Sequence, residues 1–187
     1  MKKRTIIISI FLILTLIGFS QQNSKYAGGI VYGPKAAFQI FSPPNWILDN
    51  QAGLNMGLPC VLYLKDYTWS DSPVIMYAKI ASTNFETSQL FIDFAIKEFQ
   101  NRDTTFTYTR IKNFETKDKF EVIVNDYSQR NHKQIDRVAY IQVKNAVCYI
   151  VFSTTKKEDF DKYADDVYKV IDSFEYKPEY INYGNNK

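Results

Sequence analysis

The 187-residue sequence has little of what enzyme sites are built from: one histidine, two cysteines and seven glycines. One histidine cannot supply a metal site that needs several imidazole ligands. The glycines form neither G-x-x-x-x-G-K nor G-x-G-x-x-G, and C-x-x-C and H-E-x-x-H do not occur. We therefore expect no cofactor, no metal and no catalytic residue of the familiar motif classes.

The first twenty residues have the layout of a secretory signal peptide. Three basic residues at positions 2–4 precede an apolar run over 5–16, and small residues up to Ser20 offer a cleavage position. The run is shorter than the ~20 residues that span a bilayer, and no cysteine lies near the cut for lipid attachment. An uncleaved signal anchor is the alternative. We expect an exported protein, periplasmic or extracellular, with no transmembrane segment after removal of residues 1–20.

The charges that follow this leader balance. Of 23 basic residues three lie in the leader, which leaves 20 against 20 acidic residues. A chain without a net positive field has little long-range attraction for nucleic acid or anionic lipid. Nucleic acid is therefore not an expected partner.

Cys60 and Cys148 stand in apolar, strand-like runs. In an oxidising compartment they can form one disulfide. Two buried free thiols are equally compatible with the pattern. A disulfide depends on the separation of the two Cα atoms, which the sequence does not give, so both interpretations stay open.

The first half of the chain predicts short strands and one helix. Residues 21–36 are polar and contain glycine, which predicts a loose N-terminal segment. Alternating runs between residues 37 and 81 predict strands. A helix over about 87–101 follows, with Thr87 or Ser88 as its N-cap and an apolar stripe that includes Leu90 and Phe94.

The second half predicts a meander and a closing helix. Alternating runs from residue 119 to residue 154, joined by short polar connections, predict antiparallel hairpins. Thr155 and Glu158 match a capping box in front of a helix over about 156–174. Residues 177–187 have no period and predict a flexible tail. The order indicates an α+β fold, with each helix burying its stripe on a sheet face, in a single domain over 37–176.

The loop between the third and fourth predicted strands holds the candidate binding residues Asp66, Tyr67, Trp69 and Asp71. Aromatic rings between acids suit a sugar or a cation. The same composition is typical of a polar surface loop with one packed tryptophan. The tyrosines Tyr176, Tyr180 and Tyr183 near the C terminus are a second candidate surface.

His132 is the one residue on which an enzymatic interpretation can be built. Asp126 or Asp136 could pair with it as a base or a metal ligand, and Ser128 is near in sequence. No nucleophile-elbow context surrounds the serine. A small hydrolase or metal-dependent enzyme is thus an alternative hypothesis, and a carrier with an apolar pocket between sheet and helix is another.

Two motifs resemble the PsbP-like superfamily, named after the extrinsic protein PsbP of photosystem II. "FQIFSPPNW" (residues 38–46) resembles the F-x-I-x-x-P-x-x-W start of its domains, and "IDSFEY" (residues 171–176) is similar to the end of their last helix. The resemblance spans about residues 37–176. It implies an α/β/α sandwich around a twisted, mainly antiparallel sheet, and a protein that acts by binding or assembly.

The preferred hypothesis is therefore an exported bacterial member that is not an enzyme. Its partner would be a protein or another component of the cell envelope. The basic surface expected for docking to an acidic partner is missing from the balanced chain, and no functional residue is transferred from the family. Within the first motif, Pro43 and Pro44 are expected to end a strand, and Trp46 is expected to anchor the start of the domain.

Overall fold

The structure, a computed structural model, describes residues 28–33, 35–82, 85–144 and 146–184. The predicted leader lies outside these residues. Within these residues, ten strands form two antiparallel sheets. The strands are β1 (Gly28–Tyr32), β2 (Ala37–Phe41), β3 (Trp46–Asp49), β4 (Val61–Leu64), β5 (Val74–Ile80), β6 (Thr107–Glu115), β7 (Glu121–Gln129), β8 (Gln134–Val143), β9 (Ala146–Thr154) and β10 (Glu175–Tyr176). The helices are α1 (Ser88–Arg102), α2 (Lys157–Tyr163) and α3 (Asp166–Asp172).

The large sheet has seven strands in the order β3-β4-β5-β9-β8-β7-β6, and the small sheet has the order β1-β2-β10. Helix α1 packs Ile92 and Ile96 on one face of the large sheet, hereafter the α1 face. The short helices α2 and α3, with the small sheet, cover the other face, hereafter the helix-pair face. The fold is therefore α+β with helices on both sides of the sheet, as predicted. None of the helices in the described residues combines the length and apolar character needed to cross a bilayer.

A tight turn carries the chain from the small sheet to the large one. Trp46 N donates to Pro43 O at 3.1 Å, and Asn45 has a φ of 68°. Proline at the second position of a turn and asparagine with positive φ at the third are the residues of a type II turn. The prolines thus end β2 and set the direction of β3.

Trp46 is the anchor that the sequence predicts. Its side chain is buried and lies edge-on to Phe152 and Tyr163, with ring centroids 6.4 Å apart in both cases. Its indole Nε1 donates to Asp166 Oδ2 at 2.7 Å. The large apolar surface and the one polar atom of the indole are therefore both satisfied.

The segment predicted to be loose, 21–36, contains strand β1, so that prediction was wrong for residues 28–32. Gly29 lies so close to the large sheet that a Cβ atom there would stand 2.8 Å from both Cys60 Sγ and Leu48 Cδ2. The glycines at 28 and 29, taken as a sign of a loop, instead leave room for neighbouring side chains, since a Cβ at Gly28 would stand 2.5 Å from Gln39 Nε2. In the predicted tail, residues 178–184 form 3-10 helical turns.

The second predicted helix is divided in two. Tyr168 N donates to Asp165 O at 3.1 Å, an i→i+3 bond that tightens the turn between α2 and α3. The capping box at Thr155 was wrong as well, because α2 has no side-chain cap at its N-terminal position. Thr154 Oγ1 instead accepts from Lys156 N at 3.2 Å.

The cap of α1 is Thr87, whose Oγ1 accepts from Leu90 N at 3.2 Å. The apolar stripe predicted for this helix was partly wrong. Leu90 and Phe94 are each 49% exposed, whereas Ile92 and Ile96 face the sheet. Because the helix has large apolar residues on two sides, spacing alone could not identify the buried one.

Both cysteines are free and buried on the helix-pair face. Strand β5 runs between them, since Ala78 N bonds Cys60 O and Ile80 pairs with Cys148. Neighbouring strands lie ~4.8 Å apart, so the two Cα atoms are separated by roughly 10 Å. That is beyond the reach of a disulfide. Burial raises the pKa of Cys60 to about 12, and burial also raises the pKa of Cys148.

Candidate binding cleft

The loop with the predicted binding residues joins β4 to β5. Asp71 Oδ1 accepts from Thr68 N at 2.6 Å and from Thr68 Oγ1 at 2.7 Å, and these bonds lower the pKa of Asp71. Its carboxylate therefore holds the loop in shape. Tyr67 is 45% exposed, Asp66 is exposed and Trp69 is half-buried. Their role in binding stays a prediction.

Two of the three tyrosines predicted as a second surface have described side chains. Tyr176 packs on Phe120, with ring centroids 5.4 Å apart, and Tyr180 is 38% exposed. The side chain of Tyr183 lies outside the described part of the chain.

His132 lies exposed in the 3-10 turn Arg130–His132 between β7 and β8. The two aspartates proposed as its partners lie on opposite faces of the large sheet. Asp126 pairs in register with Arg137, and Asp136, next to Arg137 along β8, points the other way. The structure therefore does not bring Asp126 and Asp136 together around one imidazole.

The carboxylate that interacts with His132 is Asp103, at the C-terminal cap of α1. Its Oδ1 accepts from Thr105 N, Thr105 Oγ1 and Asn131 Nδ2 at 2.8, 2.6 and 2.9 Å. The bond from Thr105 Oγ1 is the main cause of the lowered pKa of Asp103, and the charge of His132 contributes. The D-x-T spacing after a helix is an Asx-turn signal that could have identified this residue.

A buried ion network, which no local sequence pattern indicates, lies on the helix-pair face. Arg137 Nε and Nη2 donate to the two carboxylate oxygens of Asp126 at 2.7 and 2.9 Å. Arg137 Nη1 donates to Asp165, in the turn between α2 and α3. The Arg137 and Asp126 side chains are 10% and 21% exposed, and that of Asp165 is 86% exposed. The hydrogen bond to Asp126 is the main cause that raises the pKa of Arg137.

Two aromatic rings hold the guanidinium in place. Its Cζ lies 5.3 Å from the ring centroid of Phe160 on α2 and 5.7 Å from that of Tyr168 on α3. Cation–π contacts of this kind stabilise a charge that is partly withdrawn from water. Arg137 is thus fixed by a bidentate carboxylate and by rings from both short helices.

Beside this network, α2 and the outer strands β6 and β7 enclose a cleft of about 120 Å³. Its lining combines hydroxyl groups, one carboxylate, one ammonium group and apolar side chains. These residues are Thr107, Tyr108, Thr109, Asp126, Tyr127, Ser128, Ile135, Lys157 and Phe160. Sites for whole small molecules usually measure ~300 Å³ or more. The cleft is therefore the size of a single side chain or ring.

Strand β6 forms the outer wall of the cleft and one edge of the large sheet. All but one of its nine residues are exposed. Its pairing with β7 is irregular between Arg110 and Lys112, where Ile111 is an extra residue. The Lys112 ammonium lies 5.5 Å from the ring centroid of Tyr168, which connects this edge to the aromatic rings around Arg137.

No protein-family model matches the chain, and no curated protein matches it. The solved structures that are similar to it include three from different organisms. Cyanobacterial PsbP (CyanoP) from Synechocystis has 13% identity and a TM-score of 0.48, over 75% of this chain and 86% of that one. LpqN of Mycobacterium tuberculosis, described as involved in cell envelope biogenesis, has 11% identity and a TM-score of 0.49, over 82% and 92%. A protein of unknown function from Pseudomonas aeruginosa has 12% identity and a TM-score of 0.39, over 76% and 85%. At such TM-scores these likenesses carry no argument about family or function.

Proposed function

We propose that this chain is an exported, non-enzymatic binding or assembly module of a bacterial cell envelope, of the PsbP-like type, and that it holds a protein partner at the cleft between α2 and β6–β7. The observation that carries the proposal is the size of the cleft, about 120 Å³. A cavity of that size accepts one side chain of a larger partner, and most of the contact is then made around it.

The walls of the cleft support this function because they are held in place before a partner arrives. Arg137 orients Asp126 through two hydrogen bonds, and Phe160 packs on Phe152 of the sheet, with ring centroids 5.8 Å apart. A wall that does not need to be ordered on binding lowers the entropic cost of association. Rigid secondary structure on both sides of the cleft has the same effect.

The polar groups in the cleft favour binding over catalysis. Both oxygens of Asp126 accept from Arg137, so this carboxylate is poorly suited to take a proton from Ser128. The lining of hydroxyls and charges also does not suit the apolar ligand of a carrier. Hydroxyl and charged groups match a polar side chain of a partner instead.

A site-specific crosslinking experiment in the source organism tests the proposal. A photoreactive amino acid is placed in the full chain at Thr109, which lines the cleft, or at Lys97, an exposed position of α1 on the opposite face. A third variant carries the photoreactive amino acid at Tyr67, in the loop between β4 and β5 that the sequence analysis proposed as a binding site. We expect a defined protein adduct from Thr109 and none from Lys97. The same adducts at both positions, or no adduct at Thr109, would refute a partner at the cleft, and an adduct from Tyr67 alone would move the site to the loop.

A further inference from the structure

The outer edge of β6 is a long strand edge that borders the cleft. β6 is the last strand in the order of the large sheet, and within the described residues no strand pairs with its outer side. Such an edge presents backbone N–H and C=O groups to a further strand. The addition of an extended peptide to an exposed edge is a common mode of protein recognition.

The pairing of the large sheet determines which groups point outward. Ala78 N donates to Cys60 O, so the even-numbered residues of β5 direct their backbone groups at β4. Backbone groups alternate in direction along a strand, and the registers through β9, β8 and β7 carry this alternation to β6. Thr109 and Lys112 then face β7. Four other residues of β6 direct their backbone groups outward: Tyr108, Arg110, Asn113 and Glu115.

The side chains at this edge carry positive charge that no acidic group neutralises. Arg110 Nη2 donates to the neutral Gln89 Oε1 at 2.6 Å. The Lys112 ammonium lies over the rings of Phe114 and Tyr168, at 5.1 and 5.5 Å from their centroids. In the described part of the chain, neither cation forms an ion pair. An acidic strand is therefore the complement of this edge.

A second copy of this chain is a poorer match. Two-fold pairing of β6 with itself offers one acidic residue per strand, Glu115, to the two cations Arg110 and Lys112, so at least one cation of each copy stays unpaired. Like charges on adjacent strands destabilise the pair. The bulge at Ile111 and the basic residues also protect the edge from neutral strands. The edge of β6 therefore disfavours both a second copy of this chain and a neutral strand.

We propose that β6 binds an extended acidic segment of a partner protein by strand addition, forming an eighth strand of the large sheet. Peptide residues opposite Thr109 and Lys112 direct their side chains to the helix-pair face, beside the cleft, and those opposite Arg110 direct theirs to the α1 face. Acidic residues on both sides of the added strand thus meet a cation. The inference rests on the proposed function, because it names the class of partner held at the same cleft.

Residue-resolved hydrogen exchange by NMR tests the proposal. The probe is a synthetic peptide that repeats Glu-Glu-Thr-Thr, which places glutamates on both faces of the added strand, and the control peptide repeats Lys-Lys-Thr-Thr. With the acidic peptide we expect at least about tenfold slower exchange at the outward amides of Tyr108, Arg110 and Asn113. The inward amides of Thr109 and Lys112 already bond to β7 and should not change. The lysine peptide should produce no protection.

Two variants sharpen the test. Asn113→Pro removes one outward N–H at an edge position where proline is tolerated, and Asn113→Ala is its matched control, which keeps the N–H. We expect the acidic peptide to bind about tenfold more weakly to Asn113→Pro than to Asn113→Ala. Lys112→Glu reverses a charge without removing a backbone donor and should weaken binding by about tenfold as well, with a strong dependence on salt.

Three results would overturn the inference. The acidic peptide could fail to bind, it could bind without protecting the outward amides, or the outward amides could be protected in the absence of peptide in a dimer detected by sedimentation. A protein adduct from Thr109 in cells together with any of these results would leave the proposed function intact and reject strand addition alone. The absence of that adduct rejects the proposed function itself.

Discussion

Asp126 and Asp136 are carboxylates on adjacent strands of the same sheet, and the protein buries them in opposite ways. On the helix-pair face, Asp126 is bound by the guanidinium of Arg137. On the α1 face, Asp136 is 6% exposed, and its two oxygens accept from the neutral Gln134 Nε2, each at 3.0 Å. Burial without a cation raises the pKa of Asp136.

Three buried residues of the α1 face, Asn125, Tyr127 and Tyr140, are also joined by hydrogen bonds without a charge. Asn125 Nδ2 donates to Tyr127 Oη at 2.9 Å, and Tyr127 Oη lies 2.8 Å from Tyr140 Oη. Burial raises the pKa of both tyrosines, so the hydroxyls keep their protons. The buried ion pair thus lies on the helix-pair face, whereas the buried polar groups beside Asp136 on the α1 face are neutral. The cleft lies on the face that buries the ion pair, and Asp126 belongs to both.

The largest effect is expected on the charged face. Asp126→Ala leaves the Arg137 guanidinium, 10% exposed, without its bidentate partner, and loss of one member of a buried pair costs about 3–5 kcal/mol. Urea unfolding of both proteins measures the change in the free energy of unfolding. Asp165→Ala is the control, and its loss should be smaller because water replaces an exposed carboxylate. Equal losses in the two variants would show that the network does not depend on Asp126.

A smaller effect is expected from the neutral hydrogen-bond chain. Tyr140→Phe removes one hydroxyl and the bond to Tyr127, a loss of about 1–1.5 kcal/mol in the free energy of unfolding. Tyr149→Phe is the matched control, because in the described chain the Tyr149 hydroxyl has no hydrogen-bond partner. Chemical denaturation measures both. An equal loss in the two variants would contradict a stabilising role of the chain.

The smallest effect is expected at Asp136 and has the opposite sign. Its folded pKa lies above the unfolded value, so the native state holds the proton more tightly. The resulting stability is complete below about pH 3.8, the unfolded pKa, and is lost as the pH rises through the folded pKa.

Asp136→Asn has no carboxyl proton to lose. The free energy of unfolding of Asp136→Asn minus that of the original protein should therefore be more positive at about pH 8 than at about pH 4. Unfolding free energies of both proteins at the two pH values provide the check. If the difference in unfolding free energy between the two proteins is the same at both pH values, burial of the ionised Asp136 carboxylate does not destabilise the protein.

The sequence predicted the strands and the class of fold because both depend on local patterns. The apolar runs before and after the short polar connection at Lys144 lie within the region predicted as antiparallel hairpins, and they form β8 (Gln134–Val143) and β9 (Ala146–Thr154). The N-cap was predicted as Thr87 or Ser88 from local residue types, and the structure has Thr87. Strand β1 was missed because Gly29 leaves room for Cys60 and Leu48, which are distant in sequence.

The candidate site could not be predicted in the same way. Arg137 meets Asp126 and Asp165 across 11 and 28 residues, and nothing in the local sequence distinguishes these from surface charges. The contact between Arg137 and Asp165 also holds the turn between α2 and α3, which divides the predicted last helix. Sequence reasoning instead selected the loop residues Asp66, Tyr67, Trp69 and Asp71. Their residue types are common in binding sites, but the sequence does not show which residues they contact in the folded protein.

The type II turn at Pro43–Trp46 has a consequence for the order of folding. It joins β2, whose partner β10 lies at the other end of the described chain, to β3, whose Trp46 bonds a residue 120 positions later. Phe41 N likewise bonds Ser173, 132 positions later. Such long loops close slowly. During synthesis the early strands must therefore wait, with Trp46 exposed, until the last helix has left the ribosome, and a chain cut short before residue 166 lacks the acceptor for this indole.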